Sequence, residues 1–372
     1  MSSTVAVSPS PFANSFFLTG PTASGKTALS VEIARELGAE IFSLDSMAVY
    51  RRMDVGVAKP TVEERGGVLH RMIDVVEPSE EFSLAEYLKL AAEGVAECER
   101  RGRIPLFVGG TPLYLKAILF GVFEGPGADP EIRERLRREE EENGPGWLHR
   151  KLAERDPKSA ERLHPNDTKR LIRALEILEV AGKPISELQT QFEAAPLVDP
   201  RRVFILTWER SALYDRINRR VDAMMEGGFL EETRALFAET PPPGSTASKA
   251  VGYRELDAVL RGEMELGAAL DKIKQATRNF AKRQETWFRS LTASGARRVA
   301  VDGRERAEIR EEIVAAIRAT LAENAARYPN EGQRLRIKRQ ARQDRRSRET
   351  LNRRAARQSR IFGSFRVRRV RV

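Results

Sequence analysis

A single cysteine, Cys98, is all the thiol chemistry this chain of 372 residues has. That excludes an intrachain disulfide and fits a reducing compartment. Histidine is nearly as scarce. His70, His149 and His164 have no second His or Cys at ligand spacing, which argues against a zinc site. No apolar run approaches the ~20 residues that a membrane-spanning helix needs. The first fifteen residues are rich in Ser and Pro and lack the basic start and apolar stretch of a secretory signal. Together these absences predict a cytoplasmic protein without a membrane contact, and a monomer is expected. With 41% hydrophobic and 32% charged residues the chain reads as globular, and its length suggests two or more domains.

Charge is unevenly distributed. The formal net charge is +10. Residues 331–372 hold sixteen Lys or Arg against three acids, a net +13, which leaves −3 on residues 1–330. The tail, not the body, makes the protein basic. Any contact of the body with nucleic acid must therefore come from local basic faces. The tail is of low complexity and is predicted to be disordered. The sharper alternative is a tether that strengthens nucleic-acid binding without sequence choice.

What is present along the body is an alternation of strands and helices. Short apolar runs at Phe16–Thr19, Ile41–Leu44, Ile104–Val108, Arg202–Thr207 and Arg297–Val301 read as strands. Helical spacing covers Ala28–Leu37, Phe82–Arg101, the stretch holding Tyr114, Leu115, Ile118 and Leu119, and later Ala212–Glu226, Leu230–Ala238 and Leu266–Leu291. Such alternation predicts an α/β fold, a P-loop NTPase-like parallel sheet flanked by helices. Between 129 and 200 the texture becomes helical and charged. Asp129–Asn143, Trp147–Arg155, Lys158–Leu163 and Thr168–Ala181 read as a helical insertion domain. The expected division is a disordered start at 1–15, a core at 16–128 and 201–303, the insertion at 129–200, a helix at 304–330 and the basic C-terminal tail at 331–372.

The strongest local signal is Gly20-Pro21-Thr22-Ala23-Ser24-Gly25-Lys26-Thr27, which matches G-x-x-x-x-G-K-[ST] between a strand and a helix. The glycines let successive N–H groups curl inward onto anionic oxygens, and the following helix adds its positive end. Lys26 supplies a mobile charge for the terminal phosphate. Thr27 offers a hydroxyl to Mg²⁺, whose other ligands would be phosphate oxygens and water. A chance Gly-rich turn is the bland alternative, and the full motif in this context disfavours it.

Ligand crevices in open parallel sheets lie outside the carboxyl ends of the strands. Asp45, after the second strand, is placed there. It either orients and deprotonates a nucleophile or caps the next segment; position alone leaves both open. The third main strand ends in Gly109-Gly110-Thr111, where an NTPase would often carry a magnesium-binding Asp. That weakly disfavours phosphoryl transfer from ATP.

Several blocks in order resemble the tRNA dimethylallyltransferase family, in its bacterial form. They are GPTASGKT (20–27), SLDS (43–46), DVGVAKP (54–60), HRMID (70–74), VGGTPLYLKA (108–117), HPND with KRLIRALEI (164–177), VGYRE (251–255) and AKRQETWFR (281–289). The resemblance spans roughly residues 14 to 303. It implies that the P-loop holds the diphosphate of dimethylallyl diphosphate with Mg²⁺. It implies that the acceptor is the exocyclic amine of an adenosine beside the 3′ end of the anticodon in tRNA. It casts Asp45, Thr111 and Arg220 as catalytic, with Arg216 and Arg219 competing for the alignment of Arg220. For tRNA binding it implies Asp45, Ser46, Met47, Ala48 and Thr111. In the insertion it adds Arg133, Lys169, Arg170, Leu171, Ile172 and Arg173. Further on it adds Lys249, Gly252, Tyr253, Arg254, Lys282, Arg283, Gln284, Trp287 and Arg289. Core packing competes with base contact for Trp287, and a solvated face is the default for each single cation. The tail departs from the usual bacterial pattern and lacks the Cys/His pairs of a zinc-finger extension.

Three alternatives are weighed: a P-loop small-molecule kinase using ATP, a prenyltransferase acting on free adenylate, and a non-catalytic RNA-binding protein. The insertion argues against the second. The presence of Lys26, Thr27 and Asp45 argues against the third.

Overall fold

The computed structural model describes residues 10–122, 125–188 and 196–327. The tail at 331–372 and most of the start at 1–15 lie outside the described residues. The chain divides into two compact units, residues 1–314 and 315–372. The first unit carries the sheet and all of the site described below.

In chain order the elements are β1 (Phe16–Thr19), α1 (Lys26–Leu37), β2 (Ala39–Ser43), α2 (Val62–Arg65), β3 (His70–Arg71), α3 (Leu84–Arg100), β4 (Ile104–Gly109) and α4 (Pro112–Phe120). The helical stretch follows with α5 (Pro130–Asn143), α6 (Trp147–Arg155), α7 (Pro157–Arg162), α8 (Thr168–Ala181) and α9 (Ile185–Leu188). The chain then returns through β5 (Val203–Thr207), α10 (Arg210–Glu226), α11 (Phe229–Phe237), α12 (Tyr253–Leu260), α13 (Leu266–Ala293), β6 (Arg297–Ala300) and α14 (Arg306–Arg327). Four elements escaped the sequence reading: the single-turn helices α2 and α9, and β3 and α12. β3 has two residues, too few for any alternation to show. α12 lies inside a block read only as a motif.

The six strands form one parallel sheet in the order β3-β2-β4-β1-β5-β6. Its centre is wholly buried, as parallel strands covered on both faces require. Phe17 of β1 and Phe42 of β2 are both register partners of Phe107 on β4. Their rings stack on it at 5.1 and 4.9 Å between centroids. This row of three joins the strands that carry the P-loop, Asp45 and Thr111.

Local signals set the helix ends. Ser83 and Glu86 form a reciprocal capping box on α3. Asp129 accepts from the Glu131 and Ile132 N–H groups ahead of Pro130, and Gly182 closes α8 in the left-handed region. Helices α5 to α8 bury their own cluster, with Leu136, Leu148, Leu152, Leu171, Ile172 and Leu175 at its centre. It is distinct from the large cluster around the sheet.

Candidate active site

Register decides which loops meet. Thr19 pairs with both Gly109 and Ile205, and Ser43 pairs with Val108. Thr19, Gly109, Ile205 and Leu44, the residue after Ser43, therefore lie at one level on four adjacent strands. The loops after β1, β2 and β4 face one crevice at the carboxyl edge.

The P-loop has the backbone its composition predicts. Gly20 sits at φ 146°, and a Cβ there would meet the Leu206 carbonyl at 2.8 Å. Gly25 takes φ 88° at the start of α1, and Ala23 tolerates φ 63°. Lys26 folds over the loop. Its Nζ donates to Gly20 O at 2.9 Å, Pro21 O at 2.7 Å and Ser24 Oγ at 3.2 Å. Burial of the ammonium and the nearby Arg220 charge lower its pKa to about 7, against an opposing pull from Asp45. Burial likewise lowers the pKa of Arg220, and Asp45 opposes that shift too. Asp45, Lys26 and Arg220 thus form one charge cluster.

The three arginines of α10 separate by role. Arg220 belongs to that cluster. Arg216 donates from Nε to Ala23 O at 2.9 Å and lies over the Trp208 ring at 4.4 Å. Arg219 is exposed.

The Asp45 carboxylate is oriented by its own turn, with Oδ1 accepting from Met47 N at 2.8 Å. Thr111 binds the same loop: its Oγ1 accepts from Ser46 N at 3.1 Å and its N–H donates to Leu44 O at 3.1 Å. Such closeness requires Gly109, where a Cβ would lie 2.2 Å from the Leu44 carbonyl oxygen. Behind these loops the Tyr87 and Tyr114 rings lie 4.1 Å apart. Burial first, then charged and phenolic neighbours including Asp45, raise both hydroxyls, which stay protonated. Tyr87 donates to Ser43 O at 2.8 Å, pinning the end of β2.

Two side chains in the crevice were not assigned to the cradle from sequence. Trp208 donates from Nε1 to Ser24 O at 3.1 Å. Gln284 of α13 accepts from Thr22 N at 2.9 Å and donates to Gly110 O at 2.6 Å. Neither has a signal in its spacing, since Trp208 lies 184 residues from Ser24, and Gln284 lies 262 from Thr22 and 174 from Gly110.

Several side chains expected at an RNA face are used inside the protein instead. Leu171 and Ile172 are buried in the α5–α8 core, because they occupy the apolar stripe of α8. Arg133 and Arg173 both clamp the fully buried Glu176, at 2.8 and 2.6 Å. Tyr253 is buried with its hydroxyl on Glu232 at 2.7 Å, and Gly252 packs against Phe229. Gln284 is 2% exposed with both ends of its amide engaged, so it is not a free base contact. Ala48 is buried and Met47 half-buried.

Other cations do face outward. Lys169, Arg170, Lys249, Arg254, Lys282, Arg283 and Arg289 are exposed. Lys282 and Arg283 line an open groove of about 520 Å³ with the half-buried Trp287. Arg254 lines another of about 640 Å³. Burial first, then the charge of Arg170, lower the pKa of Lys116 on α4.

Among the described residues no group of three or more His, Cys, Asp or Glu could hold a metal ion. The exposed Thr27, in the first turn of α1, remains the available hydroxyl. Among them, too, no helix is long and apolar enough to cross a membrane.

This layout is that of a P-loop protein, with the loop, Asp45 and Thr111 gathered at the carboxyl edge of a parallel sheet. Residues 48–291 match the family model described as IPP transferase, and residues 13–74 match that of isopentenyl transferase. A tRNA dimethylallyltransferase of Symbiobacterium thermophilum is 51% identical over 273 residues, 73% of this chain and 85% of the relative. One from Koribacter versatilis is 47% identical over 74% of this chain and 89% of the relative. A tRNA isopentenylpyrophosphate transferase structure from Bacillus halodurans superposes with a TM-score of 0.60 at 38% identity, covering 84% of this chain and 99% of that one. A eukaryotic dimethylallyltransferase acting on tRNA gives 0.64 at 25% identity, covering 77% and 73%. The chain belongs to the IPP transferase family.

Proposed function

We propose that this enzyme transfers the dimethylallyl group of dimethylallyl diphosphate to N6 of the adenosine 3′-adjacent to the anticodon in tRNA. The observation that carries the reading is the meeting of the P-loop charge cluster with Asp45 and Thr111 in one crevice. The names of the relatives support the same chemistry. They do not favour the kinase alternative.

In this reading the N6 amine attacks the allylic carbon, the carbon–oxygen bond to diphosphate breaks, and the amine proton passes to Asp45. Negative charge gathers on the leaving diphosphate. The P-loop N–H groups, Lys26 and Arg220 face that charge and stabilise it more in the transition state than in the ground state. Mg²⁺, held by Thr27 together with diphosphate oxygens and water, would neutralise part of it. Thr111 orients the acceptor nucleotide beside Asp45. The target base must leave the anticodon stack to reach the crevice. The insertion at 129–200 serves as a clamp on the anticodon stem-loop, with Lys169 and Arg170 on phosphates. Lys282, Arg283, Trp287 and Arg289 of α13 offer further RNA contacts, and the working unit is a monomer in the cytoplasm.

The test is incubation of the protein with Mg²⁺, dimethylallyl diphosphate and undermodified tRNA, followed by mass analysis of nucleosides. Isopentenyl-adenosine is the expected product, and intact tRNA without it would overturn the reading. Asp45→Ala should abolish turnover and leave tRNA affinity within about threefold, a margin under 1 kcal/mol.

A further inference from the structure

The buried stripe of α13 runs through Ala281, Gln284, Phe288 and Leu291. Three of these are apolar, and Gln284 is the exception. A buried amide is tolerated only when its polar atoms are satisfied. Gln284 satisfies its own on two loops from different strands: Oε1 on Thr22 N–H of the P-loop and Nε2 on the Gly110 carbonyl. The amide cannot be rotated without facing donor to donor and acceptor to acceptor. The fit is also tight. A Cβ on Gly110 would lie 2.4 Å from Gln284 Nε2 and 3.0 Å from Gly20 O.

Thr22 belongs to the diphosphate cradle. Gly110 is bonded to Thr111, whose hydroxyl holds the loop bearing Asp45. The one amide therefore spans the donor side and the acceptor side of the crevice. On the same helix, Lys282 and Arg283 precede it and Arg289 follows it on the exposed surface.

We infer that Gln284 is a positioning residue that sets the separation between the diphosphate cradle and the acceptor turn. This rests on the prenyl-transfer reading above. Gln284 touches neither reacting atom; it acts through Thr22 and Gly110. Losing it lets the two loops drift, and displacements near 1 Å cost on the order of 100-fold in rate.

The test compares wild type with Gln284→Leu, which keeps the bulk and removes both hydrogen bonds. kcat should fall roughly 10- to 100-fold and KM for dimethylallyl diphosphate should rise, while the affinity for undermodified tRNA changes less than about twofold. A purely structural role would lower Tm and leave the kinetics of the folded fraction unchanged. An unchanged kcat overturns the inference. So does a loss of tRNA affinity as large as the loss of rate, because Gln284 would then be an RNA contact.

Gly110→Ala attacks the same joint from the other side and serves if Gln284→Leu fails to fold. Its penalty should be larger in the wild-type background than in a Gln284→Ala background, where the 2.4 Å clash with the amide is gone and only the Gly20 carbonyl at 3.0 Å remains; additive penalties overturn the inference. Binding of inorganic pyrophosphate separates the two levels of argument. If wild type binds pyrophosphate but prenylates no tRNA, the prenyl-transfer reading fails alone. A roughly tenfold weaker pyrophosphate affinity in Gln284→Leu then still supports the link to the cradle, and an unchanged affinity removes it.

Discussion

Lys26 shows how one residue changes meaning with its surroundings. In the motif it is simply a cation for phosphate. In the fold its ammonium is enclosed and sits near Arg220, which brings its pKa from 10.5 to about 7. The unfolded chain then holds more protons between those two values. The cost to folding is full below about pH 7 and disappears as the pH rises towards 10.5. A diphosphate in the cradle favours the charged form, so binding near pH 8 should draw in a proton. Titration calorimetry of inorganic pyrophosphate in buffers of different ionisation enthalpy measures it. Lys26→Arg stays charged throughout and should lose this uptake, while the ligand's own protonation is common to both. Equal uptake in both proteins would mean that Lys26 is charged before binding.

Among elements, the segment from Asp54 to Pro60 is the instructive one. Its resemblance block was visible, but its purpose was not. The Glu232 carboxylate on α11 accepts from the N–H groups of Asp54, Val55 and Gly56 at 2.8, 2.7 and 3.0 Å, and from the Tyr253 hydroxyl. Lys59 closes the other end, its buried Nζ on Asp54 and Asp74 at 2.8 and 2.6 Å. Gly56 and Gly252 leave room for the Phe229 ring, which a Cβ at either would strike at 2.2 or 2.6 Å. Two blocks nearly 200 residues apart thus meet on one aromatic ring. Glu232→Ala strips four hydrogen bonds from a charged acceptor and should destabilise the protein by about 2–4 kcal/mol, read from the shift in the urea midpoint. An unchanged midpoint would show that the segment holds itself.

At the scale of the whole molecule, charge is the feature to test. The net +13 at residues 331–372 accompanies a body of −3. Removing 331–372 should leave kcat at saturating tRNA unchanged and make the salt dependence of tRNA binding shallower. Each lost phosphate contact would reduce the log–log slope by about 0.7–0.9. An unchanged slope would make the tail irrelevant to RNA.

The amino-acid sequence by itself determined the P-loop, five of the six strands and the longer helices in order, the capped helices of the insertion and the candidacy of Asp45 and Thr111. Those features rest on short-range physics: glycine at positive φ, side-chain caps and hydrophobic period. Tertiary structure alone decided which polar groups remain free. Arg133 is held by Glu176, Arg216 by the Ala23 carbonyl, Tyr253 by Glu232 and Gln284 by Thr22 and Gly110. A cation in a periodic helix looks the same whether solvent or a buried carboxylate awaits it. The partner that claims it lies 43 residues away for Arg133, 193 for Arg216 and 262 for Gln284, beyond the reach of any local pattern. The P-loop was legible because its chemistry is contained in eight consecutive residues; the side chains that hold it in place come from strands and helices that only the folded sheet brings together.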